Sequence, residues 1–214
     1  MKSLRYKIKS ALVVGLISIL YTGASMAAIE GPAFTLIEKS GAFELREYEP
    51  KIIAEVEVSG TMKQASNKGF KMIAGYIFGG NTSQQGAAEK ISMTAPVTMK
   101  TGVSEKISMT APVTMQQSDS QWRMNFVMPS KYTMETLPTP NNAAVTLREI
   151  PKQKYAVIRF SGLARAPKVA YMTTTLENWL KTKNITPTGK PELSRYDPPW
   201  TLPLFRRNEV MIAY

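Results

Sequence analysis

The segment LREYEPKIIAEVEVSG, Leu45 to Gly60, returns 102 residues later as LREIPKQKYAVIRFSG, Leu147 to Gly162. Six of the sixteen positions are identical without a gap, and Val56 falls on Ile158. Each copy reads as a strand, a short turn and a second strand rich in residues that suit a half-buried pleated surface. A helical stretch follows each. Met62, Ala65, Phe70, Ile73 and Ile77 recur at three-to-four spacing until Gly79-Gly80-Asn81 stops them. Val169, Met172, Leu176, Trp179 and Leu180 do the same, opened by Pro167 and closed before Pro187 and Gly189. Strands then return. Trp122, Met124, Phe126 and Met128 alternate with Arg123 and Asn125, and Pro191 to Tyr196 and Asn208 to Tyr214 close the second half.

The pattern predicts two copies of a strand-strand-helix-strand unit, about 34–136 and 143–214, related by a pseudo-twofold, with the boundary in LPTPNNA, Leu137 to Ala143. One half alone would expose the apolar face of its sheet, whereas two close it. The expected fold is α+β, a pseudo-twofold antiparallel β-barrel flanked by two α-helices, forming a single domain over 28–214. Its interior or its helix-flanked groove is a natural place for an apolar ligand.

A second repeat lies inside the first half. EKISMTAPVTM occurs at Glu89 to Met99 and at Glu105 to Met115, separated by KTGVS. Pro96 and Pro112 oppose a helix. Ile91, Met93, Ala95, Val97 and Met99 share one face at period two, as do Ile107, Met109, Ala111, Val113 and Met115. With Gly102 at the tip, the two copies are expected to pair as an antiparallel hairpin that keeps both apolar faces together.

Residues 1–27 are read as a signal peptide: Lys2, Arg5, Lys7 and Lys9, then an apolar run from Ala11 to Leu20, then Ser25-Met26-Ala27 at a cleavage site. The run is short for a membrane span, so no stable membrane anchor is expected after cleavage. Export to the periplasm is the expectation, with a secreted or signal-anchored protein as alternatives. Cleavage lowers the net charge from +11 to +7, because four cations and no acid leave with it. An anionic ligand suits that balance; nucleic acid does not, since the rest of the chain has no dense Lys/Arg run. With no cysteine and no histidine, disulfides, thiolate chemistry, histidine triads and histidine ligation of iron are all excluded.

KISMTAPV following the helix end AGYIFGGN, then WRMNFVMP, then YDPPW with RRNEV, together resemble the SOUL haem-binding protein family over about Phe34 to Tyr214. The resemblance implies a pseudo-twofold α+β barrel that binds haem or a related tetrapyrrole. Animal members carry the KIxMTxPV strand once, so the doubling is a departure. Haem asks for an apolar slot and for cations at its propionates. Lys63, Asn67 and Lys71 lie on one ridge of the first helix, with Lys68 beside them and Phe70, Ile73 and Ala74 next to the ridge. Arg206 and Arg207 in the closing motif are suited to clamping a propionate or to bracing their own loop. Met62, Met72, Met93 and Met109 are candidate axial ligands by location, and equally good core fillers.

The resulting expectation is a monomeric carrier, scavenger or buffer that holds haem or protoporphyrin non-covalently, without histidine ligation. The alternative is a general small-molecule or lipid effector-binding module of the same barrel type. An enzyme is not expected: Glu38, Glu44, Glu47 and Glu149 are available acids, but no nucleophile-base pair or metal spacing accompanies them.

Overall fold

In the computed structural model the chain is described over residues 30–93, 95, 97–101 and 121–214. The expected leader and the second copy of EKISMTAPVTM lie outside these residues. The elements run β1 (Phe34–Ser40), β2 (Phe43–Tyr48), β3 (Lys51–Ser59), α1 (Met62–Ile77), β4 (Asn81–Thr82), β5 (Val97–Thr101), β6 (Gln121–Val127), β7 (Thr139–Pro140), β8 (Thr146–Ile150), β9 (Gln153–Phe160), α2 (Ala166–Thr182), β10 (Glu192–Arg195) and β11 (Asn208–Ala213). β4 and β7 pair with each other. The other nine form one antiparallel sheet in the order β1-β2-β9-β11-β10-β5-β6-β3-β8. It curves into a half-barrel whose edges, β1 and β8, stay unpaired with each other. The unit repeated is strand-strand-helix-strand-strand, one strand longer than the sequence suggested.

The two strands of each LRE segment do not pair with one another. β2 pairs with β9 and β3 with β8, so each half lends its first strand to the other. The links are Glu49-Pro50 and Pro151-Lys152. A two-residue hairpin turn needs positive φ at its first central residue; Pro151 is locked near −65°, and Glu49 is a non-glycine residue held extended by the Pro50 that follows it. Crossing over is what remains. The register obeys the twofold throughout: Leu45 faces Ala156 while Ala54 faces Leu147, and Tyr48 faces Gln153 while Lys51 faces Ile150. The axis passes between Met99 on β5 and Leu193 on β10, which face each other at the centre of the sheet.

Both helices lie on the convex face. Ala65, Ile73, Tyr76 and Ile77 of α1 pack on Ala54, Val56, Val58, Met99, Met124 and Phe126. Leu176 and Leu180 of α2 pack on Leu45, Ala156, Ile158, Val210 and Ile212. Burying one such side chain stabilises by about 1.5–3 kcal/mol. The Pro191–Tyr196 stretch forms a strand over Glu192–Arg195, and the Trp122 stretch forms one over Gln121–Val127, as expected.

The expected hairpin of the two repeat copies draws on Glu105 to Met115, which lie outside the described residues. Along Val97 to Lys100, β5 has β10 on one edge and β6 on the other, with Val97 facing both Arg195 and Phe126. The strand is also shorter than its alternation implied. Asn81 holds the upstream part: its Nδ2 donates to Glu89 O at 2.7 Å and its Oδ1 accepts from Glu89 N at 2.9 Å. Ile91 N donates to Ile77 O at 2.7 Å. Ile91 and Met99 are still in the α1 core, with Met93 and Val97 packed against it.

This placement sharpens the consequence of deleting Glu89 to Ser104. Glu105, Ile107, Val113 and Met115 would take the places of Glu89, Ile91, Val97 and Met99, and Gln117 that of Thr101 opposite Trp122. The link to β6 then becomes an ordinary four-residue hairpin loop. We expect the sixteen-residue deletion to melt within about 5 °C of the full chain. A fifteen-residue deletion reverses the faces on one side of the join and should aggregate or lose its melting transition. Equal damage from both would show that the second copy carries structure of its own.

Candidate functional site

Three places in the half-barrel have the chemistry to be considered, and the concave face is the first. It carries the other residue of each strand alternation, and it combines buried ion pairs with an apolar cluster of Tyr48, Tyr155, Val157 and Met211. Arg46 is fully buried and forms a fork with Glu209, Nη1 donating to Oε2 at 2.9 Å and Nη2 to Oε1 at 3.0 Å. Its Nε donates to Glu44 at 2.7 Å and Nη1 also to Tyr48 Oη at 2.8 Å. Tyr196 Oη donates to Glu209 at 2.7 Å, and Arg207 pairs with the same carboxylate at 2.6 Å. A void of about 40 Å³ is lined in part by Tyr48, Asn125, Arg148, Tyr155 and Glu192. Among the described residues the rest of this face is packed with ion pairs and with the Tyr48, Tyr155, Val157 and Met211 cluster.

The second place is a cavity of about 400 Å³ at one end of the half-barrel, within the size range of small-molecule sites. Glu30, Lys51, Tyr132, Met134, Glu135 and Glu149 are among its lining residues. Three carboxylates against one lysine oppose a dianionic ligand.

The third is the flank of α1 toward the twofold axis. Thr61 caps this helix with a capping box, its Oγ1 accepting from Gln64 N while Gln64 Oε1 accepts from Thr61 N. Gly69 lets it settle closely on β6: a Cβ there would lie 2.9 Å from Met124 Sδ. Of the residues singled out in the sequence, Lys63, Asn67 and Lys71 are exposed, as is Lys68. Phe70 is 39% exposed and tilts over Phe126 at 5.6 Å between ring centres. Ile73 is fully buried and Ala74 nearly so, so they hold the helix on the sheet. Met62, Met72 and Met93 are partly buried against the same core, and Met109 lies outside the described residues. Arg206 turns into its own loop, donating to Thr201 O at 2.7 Å and to Pro199 O. Arg207 lies over the Tyr196 ring at 3.9 Å while bound to Glu209. Both arginines thus brace the loop they end.

Sequence reasoning missed the floor of this flank. Ser66 Oγ contacts Met99 Sδ at 2.9 Å, and Arg195 Nη1 donates to Ser66 Oγ at 3.2 Å. Arg195 Nη2 reaches Ala164 O at 3.3 Å, in the loop before α2. On the helix-bearing face, Arg195 thus bridges α1 and the loop before α2 above the paired Met99 and Leu193. A single arginine at the end of ELSR carries no spacing signal, because its neighbours come from three distant segments. Among the described residues no cluster of acids suited to a metal ion is present.

This is an α+β half-barrel with two helices packed on one face. It is similar to the EcmrR C-terminal domain, with a TM-score of 0.57 at 13% identity, covering 80% of this chain and 95% of that one. It is also similar to an uncharacterized conserved protein from Listeria innocua, with a TM-score of 0.52 at 12% identity over 79% and 90% of the two chains. At these identities the likeness is one of fold. A search of curated proteins gave no match. The family model described as SOUL heme-binding protein matches residues 29–213, and the chain belongs to that family.

The concave network makes an acid-sensitive lock. Burial alone would raise the Glu209 carboxyl, but the hydrogen bonds and charge of Arg46, with Tyr196 and Arg207, outweigh it and hold the group below the usual carboxylate range. Glu44 is held low in the same way, burial opposing and Arg46 prevailing. A carboxyl with a depressed folded pKa stabilises above its unfolded value of about 4.3 and loses that contribution as pH falls through the folded value. The melting temperature should be steady from neutral pH to about 5 and fall below about 4. Glu209→Gln should cost about 3–5 kcal/mol at neutral pH, by leaving Arg46 buried against too little charge, and should flatten the acid limb. Thermal melts across pH check both; a variant that melts with the wild type would show the lock to be dispensable.

Proposed function

We propose that this protein binds haem or a related tetrapyrrole non-covalently on the axis-facing flank of α1, and serves as an exported, monomeric carrier, scavenger or buffer rather than an enzyme. The observation that carries the reading is the exposed Phe70 ring over Phe126, set directly beside the cationic ridge of Lys63, Asn67 and Lys71. A macrocycle resting there meets an apolar surface while its propionates meet lysines. Family membership supports the ligand class. The charged leader pattern of residues 1–27 supports export, with the periplasm as destination. Stacking and charge do the holding, because Met62, Met72 and Met93 already pack against the core. Such a site binds and releases.

A second reading, an effector-binding module for some other amphipathic molecule, draws on the 400 Å³ cavity and its carboxylates. A titration separates the two. Haemin and metal-free protoporphyrin should bind within about tenfold of each other, a difference of only about 1.4 kcal/mol, since iron adds little without a strong ligand. A low-spin spectrum with far tighter haemin binding would instead show a methionine or lysine on the iron. Lys63→Glu combined with Lys71→Glu should weaken haemin without altering the melt, and high salt should weaken the wild type in parallel. Unchanged affinity in the double variant would move the site off α1.

A further inference from the structure

The arginines of the sheet are consistently paired. Arg46, Arg123, Arg148, Arg159 and Arg207 each reach a carboxylate. Arg195 reaches none among the described residues. Its two bonds, to Ser66 Oγ and Ala164 O, are long and go to neutral acceptors. A guanidinium has five N–H donors, so most of its capacity is unspent. Its face explains the difference. The acids that serve the other arginines, Glu44, Glu55, Glu57 and Glu209, project to the concave side, whereas Arg195 stands among α1 and the loop before α2. Burial and the like charge of Arg206 both push its pKa down. A partly desolvated cation without a counter-charge is costly to keep, and an anion delivered from outside relieves that cost.

The surroundings specify what that anion is attached to. Met99 and Leu193 are buried beside Arg195, and two partly open apolar side chains adjoin its acceptors: Phe70, one turn beyond Ser66 on α1, and Leu163, next to Ala164. Gly162 N donates to Pro203 O at 2.9 Å, which sets Leu163 next to a loop whose Trp200, Leu202, Leu204 and Phe205 are exposed. A positive floor between apolar walls suits an apolar plate with a carboxylate at its edge.

We propose that Arg195 is the carboxylate anchor of the cleft, taking one propionate of the bound tetrapyrrole in a two-pronged charge-assisted pair, while Lys63 and Lys71 act on the outer edge. This rests on the tetrapyrrole reading given above. The probes are protoporphyrin and its dimethyl ester, which share a ring and differ in charge at the propionates. The wild type should prefer the diacid by about tenfold to a hundredfold, the strength expected of one charge-assisted pair. Arg195→Gln should lose most of that preference while keeping its affinity for the ester, and Arg195→Lys should retain part of it, since lysine keeps the charge but not the fork. Far-ultraviolet circular dichroism and melting establish that each variant is folded; if Arg195→Gln is not, the Arg195→Lys ratio decides. An unchanged diacid-to-ester ratio in the folded variants overturns the anchor and leaves tetrapyrrole binding standing. Failure of the wild type to bind either porphyrin overturns both.

Discussion

Two short links constrain the whole molecule. Glu49-Pro50 and Pro151-Lys152 cannot turn β2 back on β3 or β8 back on β9, so each half must pair its strands with the other. Each half keeps three strands paired among themselves, β3-β6-β5 and β9-β11-β10, and takes its fourth from the other. β5 and β10 meet on the axis, and α1 and α2 pack on the same face of the one sheet.

Strand alternation then decides where charge goes. The helix side takes most of the apolar residues, and the concave face receives Arg46, Glu44, Glu55 and Glu209 beside the smaller cluster of Tyr48, Tyr155, Val157 and Met211. A half-barrel lined this way is held by hydrogen-bonded ion pairs, which favour one register strongly because a slip would leave buried charge unpaired. The continuous apolar face is the outer one, on which α1 and α2 pack.

The helices, the internal repeat and the α+β class were legible because each rests on a local period: three-to-four spacing in Ala65, Ile73 and Ile77, and two in Trp122 to Met128. β1 was not. Phe34, Leu36 and Ile37 break alternation, and the structure shows an irregularity between Leu36 and Glu38 with all three side chains partly exposed. The strand exchange was also hidden, since proline in a link says what cannot form, not which distant strand pairs instead. In the doubled segment the apolar period was visible but not the number of free edges in the sheet. Of the site, Lys63, Asn67, Phe70 and Lys71 could be read from one helix. Arg195 could not, because its meaning lies in the absence of an acid nearby.

The two halves differ in how tightly they are closed, and one exchange of charge accounts for it. Arg46 and Arg148 occupy equivalent positions in the repeated LRE, as do Arg159 and Glu57 in the strands that follow. Glu209 faces Arg159 across β11 and β9, and the equivalent pair across β6 and β3 is Arg123 facing Glu57. The pair is kept as opposite charges, but its polarity is inverted. Arg46 therefore looks across its neighbour to a carboxylate, Glu209, and is drawn in until both are fully buried. Arg148 looks across to a cation, Arg123, and turns instead to Glu55 at 2.8 Å, leaving its side chain 44% exposed. Like charges in a sheet repel and opposite ones attract by about the same amount, so reversing one cross-strand pair is enough to lock one half and leave the other looser.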